Sequence, residues 1–282
     1  MIAELEEKDK SELLKIARAG GVRNLLFINN LKNCKIGEVI KVYKAGDFYI
    51  MNWRDTSLLL IKTGEDSPVE DIKKLLSSIK FKVVSGEKSA LLPFEDLFSD
   101  DFEIKYNKLM SLDKSSFKKK DTSSYHLIEL FGPEDWELLY DLYAKCPEYE
   151  DITDEDKDEW SLMKAEEEYP ATGVVLMGKN EALAGAYLAG ATKEMAMVVG
   201  VATLPDWRGG GLGSAAVSEL CDIALNENNI EKLALTYSND ISKHIYEKLG
   251  FKEECEYAFF KRRSDKKVNR KDVALFLPVM KQ

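Results

Sequence analysis

The strongest constraint on the fold is a glycine-rich stretch in the second half of the chain, residues 195–214, MAMVVGVATLPDWRGGGLGS. Its first ten residues form a valine-rich apolar run of the length of a buried strand. A Pro-Asp pair ends that run. From Leu212 onward apolar residues recur at steps of four, four and three, which is typical of a helix. The stretch therefore predicts a strand, a glycine turn and the beginning of a helix.

A turn of this kind suits an anionic ligand. The first turn of a helix has backbone N–H groups without intrahelical partners, and it carries the positive end of the helix dipole. Glycines let the backbone approach a ligand closely and adopt positive φ angles. We therefore predict a phosphate or pyrophosphate site. Its predicted contacts are Arg208, Gly209, Gly210, Gly211, Leu212, Gly213 and Ser214.

Length and composition set broader limits. A chain of 282 residues favours two domains, and a net charge of −10 argues against general nucleic-acid binding. The acidic, polar N-terminus does not resemble a signal peptide, and no apolar run has the length of a membrane span. The four cysteines are scattered without a CxxC pair, so we expect reduced thiols and no metal site. These features predict a cytoplasmic protein with no membrane partner; they leave the oligomeric state open.

The domain boundary is predicted at a polar segment, residues 113–124, DKSSFKKKDTSS. It divides the chain into predicted domains 1–120 and 121–282; the alternative is a long surface loop within one domain. Both halves show the same predicted order of two helices, three strands, a helix, a strand, a short helix and a strand. At residues 63–68, where a phosphate turn would recur, the first half has TGEDSP, with one glycine and no arginine. We therefore predict a degenerate first copy.

Two other phosphate motifs fit less well. A nucleotide P-loop requires a lysine before the final Ser or Thr, and Gly213-Ser214 has none. A dinucleotide fold requires G-x-G-x-x-G, which Gly209, Gly211 and Ser214 match only loosely. A nicotinamide-dependent oxidoreductase is kept as an alternative hypothesis.

The pattern R-x-x-G-x-G after V-x-T-x-P resembles the GCN5-related N-acetyltransferase (GNAT) family. The residues on that motif are Val201, Thr203, Pro205, Arg208, Gly211 and Gly213. A second block resembles the family's downstream motif, in which asparagine touches the cofactor and tyrosine lies by the sulfur; it comprises Asn239, Ser242 and Tyr246, followed by EKLGF. The resemblance covers roughly residues 125–263. The first half more faintly resembles the N-terminal half of FR47-like tandem acetyltransferases.

The resemblance implies an α/β fold whose mixed sheet splays open between two central strands, with acetyl-CoA or another acyl-CoA in the gap. It implies direct attack by a primary amine of a small molecule or peptide. Backbone N–H groups of Val201, Ala202 and Thr203 would polarise the thioester carbonyl, and Tyr246 would protonate the leaving thiolate.

The general base is not predicted. Met197 stands where the family often has a glutamate, Glu194 is placed at the strand start, and His244 and His126 are placed outside the site. This motivates a second hypothesis, a non-catalytic acyl-CoA sensor or interaction protein.

Two further predictions concern helices in the second half. The acidic stretch 148–168 either recognises a cationic amine or is a solvated face, and charge runs are usually solvated. In the helix at 240–249 we predict that Ile241, Ile245 and Leu249 form the core face, with Asn239, Ser242 and Tyr246 on a separate polar face.

Residues 273–280 are predicted to add an edge strand.

Overall fold

The structure is a computed structural model that describes residues 2–149, 157–165 and 172–263. The chain divides into two compact units. The first comprises the described residues up to Leu109 and those from Glu253 onward, and the second comprises the described residues of Met110–Lys252. The sequence predicts domains 1–120 and 121–282 as two related halves of the chain. The compact units do not test that division, which stays a prediction.

The described strands are β1 (Ile2–Leu5), β2 (Ile40–Ala45), β3 (Phe48–Trp53), β4 (Ser57–Lys62), β5 (Val83–Glu87), β6 (Phe102–Asp113), β7 (His126–Glu129), β8 (Gly173–Met177), β9 (Ala182–Ala189), β10 (Met195–Thr203), β11 (Lys232–Tyr237) and β12 (Lys252–Arg262). The described α-helices are α1 (Lys10–Ala19), α2 (Leu25–Asn33), α3 (Val69–Ser78), α4 (Lys88–Leu91), α5 (Glu95–Phe98), α6 (Pro133–Ala144), α7 (Lys157–Ala165), α8 (Leu212–Asp222) and α9 (Asp240–Leu249).

The first unit contains a mixed sheet with strand order β1-β2-β3-β4-β5-β12-β6. Its strands pair antiparallel from β1 to β4, β4 and β5 are parallel across the α3 connection, and β12 is antiparallel to β5. Edge-to-face phenylalanine contacts fill one side of the core, including Phe98 against Phe102 and Phe260. Phe260 lies on β12, so the last described strand completes the core of this unit. The sequence did not predict β1, because this edge strand is short and two of its four residues are exposed.

The second unit contains a mixed sheet with order β11-β10-β9-β8-β7. Strands β7 to β10 pair antiparallel in sequence order, and β10 and β11 are parallel across α8. Helices α6 and α8 both pack on β9. The predicted α/β class with a mixed sheet is confirmed, and the element order of the first half recurs in the second.

The polar segment 113–124 is held within the second unit. The Lys118 N–H donates to the carbonyl of Leu249 at the end of α9 (2.9 Å). The Lys120 N–H donates to Ser218 Oγ on α8 (2.9 Å), and Lys119 Nζ pairs with Asp222 (2.6 Å). The segment therefore passes from the end of α9 to α8, and backbone N–H groups bind it to both helices.

Among the described residues, no helix is long and apolar enough to cross a membrane. The predicted strand at 273–280 lies outside the described residues.

Candidate functional site

The glycine turn begins α8 as the sequence predicts. Gly209 and Gly211 have φ angles of 81° and 82°, and Gly211 is the residue that caps the helix. The Ala215 N–H donates to the Gly211 carbonyl at 3.0 Å. The N–H groups of Leu212, Gly213 and Ser214 precede this bond and have no intrahelical acceptor. The turn therefore directs a set of backbone donors away from the helix, as anion binding requires.

Gly213 has a packing role. A Cβ atom at this position would lie 2.9 Å from Thr203 Oγ1, at the end of β10. The absence of a side chain lets the first turn of α8 lie directly against the strand that precedes it. Thr203 and the glycine turn are thereby held against one another.

Strand β10 carries a bulge in its second half. Its register with β9 shifts between Val199 and Ala202, and Gly200 in the bulge has a φ angle of 63°. The buried hydroxyl of Tyr143, on α6, donates to the Gly200 carbonyl at 2.7 Å. Bulges bend a strand and redirect its backbone groups. Val201 and Ala202, which are predicted to contact the acyl group, belong to this redirected segment.

The two central strands separate beyond the first few pairs. The parallel pairing of β10 with β11 runs from Met195↔Lys232 to Met197↔Ala234 and then stops. Both strands continue, β10 to Thr203 and β11 to Tyr237. The predicted opening between the central strands is therefore present, and it lies on the bulged half of β10.

Arg208 is directed toward an acidic partner. Its Nε donates to the Thr203 carbonyl (3.0 Å), and its guanidinium pairs with Glu148 at 2.6 Å, which raises the pKa of Arg208. The Cys146 thiol lies 3.7 Å from the same carbonyl, and burial raises its pKa to about 11, so it stays protonated at neutral pH. The sequence does not indicate this role for Glu148, because the residue is remote from Arg208 in the chain and lies in a run of acidic residues.

The face prediction for α9 is confirmed for Leu249 and wrong for Ile241 and Tyr246, while Ile245 is half-buried. Ile241 is 78% exposed, whereas Tyr246 is 3% exposed and Leu249 is also buried. The inward face thus contains Tyr246. The centroid of its ring lies 6.5 Å from that of Tyr237, at the end of β11. The physical reason is that the first turn of α9 is exposed, so Ile241 is not covered by the residues that the structure describes.

Asn239 caps α9. Its Oδ1 accepts the Ser242 N–H at 2.9 Å, which is the usual contact of an asparagine at a helix N-cap. The spacing of Asn239 and Ser242 therefore has a structural use at the beginning of the helix that carries Tyr246. Their contact with a cofactor stays a prediction.

A cluster of aromatic side chains packs against the bulge at Gly200. Tyr143 stacks on Tyr149 with ring centroids 4.4 Å apart, and Trp160 on α7 contacts Tyr143 and Tyr187. A Cβ atom at Gly200 would meet the Tyr187 ring at 2.6 Å, so this cluster packs directly on the bulge. No spacing in the sequence indicates the cluster, because its members come from separate elements.

The residues considered as a base lie as follows. Met197 is buried in β10, and Glu194 lies in the turn before that strand. The His244 side chain is 79% exposed on α9, and His126 is exposed on β7.

Comparison with known proteins agrees with this geometry. Residues 136–251 match the acetyltransferase (GNAT) family. A GCN5-related N-acetyltransferase from Kribbella flavida has a similar structure, with 15% identity and a TM-score of 0.61 over 88% of this chain and 96% of that one. Another from Sphaerobacter thermophilus has 11% identity and a TM-score of 0.61 over 93% and 95% of the two chains. A tandem GNAT protein from the clavulanic acid biosynthesis pathway has 10% identity and a TM-score of 0.56 over 92% and 97%. Comparison with curated proteins gives no match.

The mixed sheet that opens beside the glycine turn lies within the part of the chain that matches this family. The stretch that carries the turn, the bulge and α9, residues 136–251, belongs to the GNAT family. At 15% and 11% identity, these solved structures establish the fold, and their similarity extends over both halves of the chain. Membership of this family suggests acyl-CoA-dependent acetyltransferase activity.

Proposed function

We propose that the protein is an N-acyltransferase that moves an acetyl or larger acyl group from coenzyme A to a primary amine of a small molecule or peptide. The observation that carries this proposal is the separation of β10 and β11 beyond Met197, next to the glycine turn. The opening leaves the edge of the bulged strand free of its parallel neighbour. Acyl-CoA would supply the activated thioester there.

The residues present fit such a ligand. The N–H groups at the beginning of α8 suit a pyrophosphate. Backbone N–H groups of the bulged segment around Val201 and Ala202 would polarise the thioester carbonyl and favour the charge that develops during attack. The hydroxyl of Tyr246 lies on the inward face of α9, beside Tyr237, and would give its proton to the departing thiolate. Holding the amine and the thioester together would supply much of the remaining acceleration.

The acceptor would enter from the aromatic side of the bulge. Tyr143, Trp160 and Tyr187 pack there, and the acidic residue Glu148 pairs with Arg208 at the end of the same strand. Proton loss from the amine would go to water, since the position where a glutamate is expected holds buried Met197.

The test is release of free thiol from acetyl-CoA across a panel of primary amines. Tyr246→Phe removes only the hydroxyl, so we expect turnover to fall about 100-fold or more with little change in KM for acetyl-CoA. Tyr237→Phe is the matched control, because its ring packs beside Tyr246 and it loses the same atom. We expect it to keep most of its activity. Unchanged turnover in Tyr246→Phe would remove this residue as the acid.

Buried Met197 favours a second candidate, a non-catalytic acyl-CoA sensor. A sensor would bind coenzyme A in a calorimetric titration and release no thiol with any amine in the panel. Stabilisation by NAD and none by coenzyme A would contradict both candidates.

A further inference from the structure

The turn that would bind the coenzyme A phosphates has a cation that its sequence motif does not contain. Lys120 comes from the polar segment 113–124, 91 positions before Gly211 in the chain, and its Nζ donates to the Gly211 carbonyl at 2.8 Å. A Cβ atom on Gly211 would lie 2.7 Å from the same nitrogen. The ammonium group therefore lies directly over the residue that caps α8.

The position of Lys120 is fixed by its backbone. Its own N–H donates to Ser218 Oγ, a buried hydroxyl on the second turn of α8. The preceding residue, Lys119, pairs with Asp222 at 2.6 Å and Glu219 at 3.5 Å on the same helix. Two successive residues thus attach the segment along α8, and the Lys120 side chain extends from there to the N-terminus of the helix.

The neighbouring cations differ in what balances their charge. Arg208 is paired with Glu148, and Lys119 is paired with two carboxylates. In the part of the chain that the structure describes, no carboxylate lies within 4.0 Å of the Lys120 nitrogen. This half-buried ammonium donates instead to a neutral carbonyl at the turn. A cation placed this way at a helix N-terminus adds to the helix dipole, and the two together favour an anion.

We propose that Lys120 binds a phosphate group of coenzyme A and is the charged side chain of this site, with Arg208 holding the turn to Thr203 and Glu148 instead. This rests on the proposed function, because it assigns a residue to the coenzyme site. The Lys120 nitrogen would donate to a phosphate oxygen, either in place of the Gly211 carbonyl or in addition to it.

The experiment measures the affinity of the full chain for coenzyme A, dephospho-coenzyme A and pantetheine by calorimetry, at low and high salt. Lys120→Met keeps the length of the side chain and removes its charge. We expect it to bind coenzyme A about tenfold more weakly, the size of one charge-assisted hydrogen bond in a partly exposed site, with a smaller salt dependence. Pantetheine, which has no phosphate, should bind the variant and the wild type equally.

The controls separate this role from folding. Lys118→Met removes the same charge two residues away from an exposed side chain, and it should bind coenzyme A as the wild type does. Lys120→Arg should restore most of the affinity. Loss on dephospho-coenzyme A as well would assign the contact to the pyrophosphate, and loss on coenzyme A alone would assign it to the 3′-phosphate. Equal affinity of Lys120→Met and the wild type would overturn the inference and leave the proposed function standing, whereas a wild-type chain that binds no coenzyme A would overturn both.

Discussion

The bulge of β10 gives a quantitative prediction through Gly200→Ala. Gly200 has a φ angle of 63°, and an L-residue in this left-handed region costs about 1–2 kcal/mol. The new Cβ atom would also lie 2.1 Å from the Tyr143 hydroxyl and 2.6 Å from the Tyr187 ring. Overpacking of this kind costs about 1–3 kcal/mol. The two effects together lower the free energy of unfolding by about 2–5 kcal/mol.

Gly209→Ala is the matched control, because Gly209 has a φ angle of 81° and a Cβ atom placed there would have no atom of another described residue within 4 Å. It should lose only the conformational part, about 1–2 kcal/mol. Urea denaturation followed by tyrosine and tryptophan fluorescence gives both values from the midpoints, provided that the denaturant slopes agree.

A double-mutant cycle with Tyr143→Phe isolates the steric part. In the wild type this change removes the hydrogen bond to the Gly200 carbonyl and costs about 0.5–1.5 kcal/mol. In the Gly200→Ala background it removes the clashing atom, so it should cost less or stabilise, with a coupling of about 1–3 kcal/mol. Equal losses in Gly200→Ala and Gly209→Ala, or additive effects in the cycle, would refute the close packing of Tyr143 on the bulge.

Two further predictions concern the second unit. Gly250→Ala should destabilise the second unit strongly. Gly250 ends α9 with a φ angle of 101°, and a Cβ atom there would lie 2.0 Å from the Ser116 carbonyl oxygen. A variant with the wild-type denaturation midpoint would contradict this. Glu129→Gln should stabilise the protein at neutral pH, because burial and the nearby Glu227 raise the pKa of Glu129 above its usual 4.5, so ionisation costs more in the folded state. The sign requires that this gain disappear when the pH falls below 4.5, where both states are protonated, as thermal unfolding across that pH range will measure.

The sequence predicted the local structure of the candidate site well. A valine-rich strand, a proline, three glycines and an amphipathic helix are contiguous in the chain, so their propensities and periodicity determine the turn almost by themselves. Gly250 ends α9 in the left-handed region, which is the usual place of a glycine after a helix. Contacts between distant residues left no such pattern. Tyr143 and Gly200 are 57 positions apart, and Lys120 and Gly211 are 91 apart.

The error in α9 has a specific cause. Steps of four mark Ile241, Ile245 and Leu249, but steps of four and three equally mark Ser242, Tyr246 and Leu249. Periodicity gives both faces and does not say which one is covered. Tyrosine has a large apolar ring and buries more area than isoleucine when a neighbour such as Tyr237 or Phe251 is available, whereas the first turn of α9 has no such neighbour for Ile241.

Side chains contact two backbone carbonyls of β10 beyond the point where β10 separates from β11. Backbone carbonyls near the protein interior need donors, and a strand that leaves its parallel neighbour loses some of them. At Gly200 the Tyr143 hydroxyl supplies a donor, and at Thr203 the Arg208 guanidinium and the Cys146 thiol do so. All three donors lie outside β11. Two carbonyls of the bulged half of β10 thus have donors that β11 does not supply. The same contacts direct Arg208 toward Thr203 and Glu148, whereas the Lys120 ammonium group lies at the turn itself.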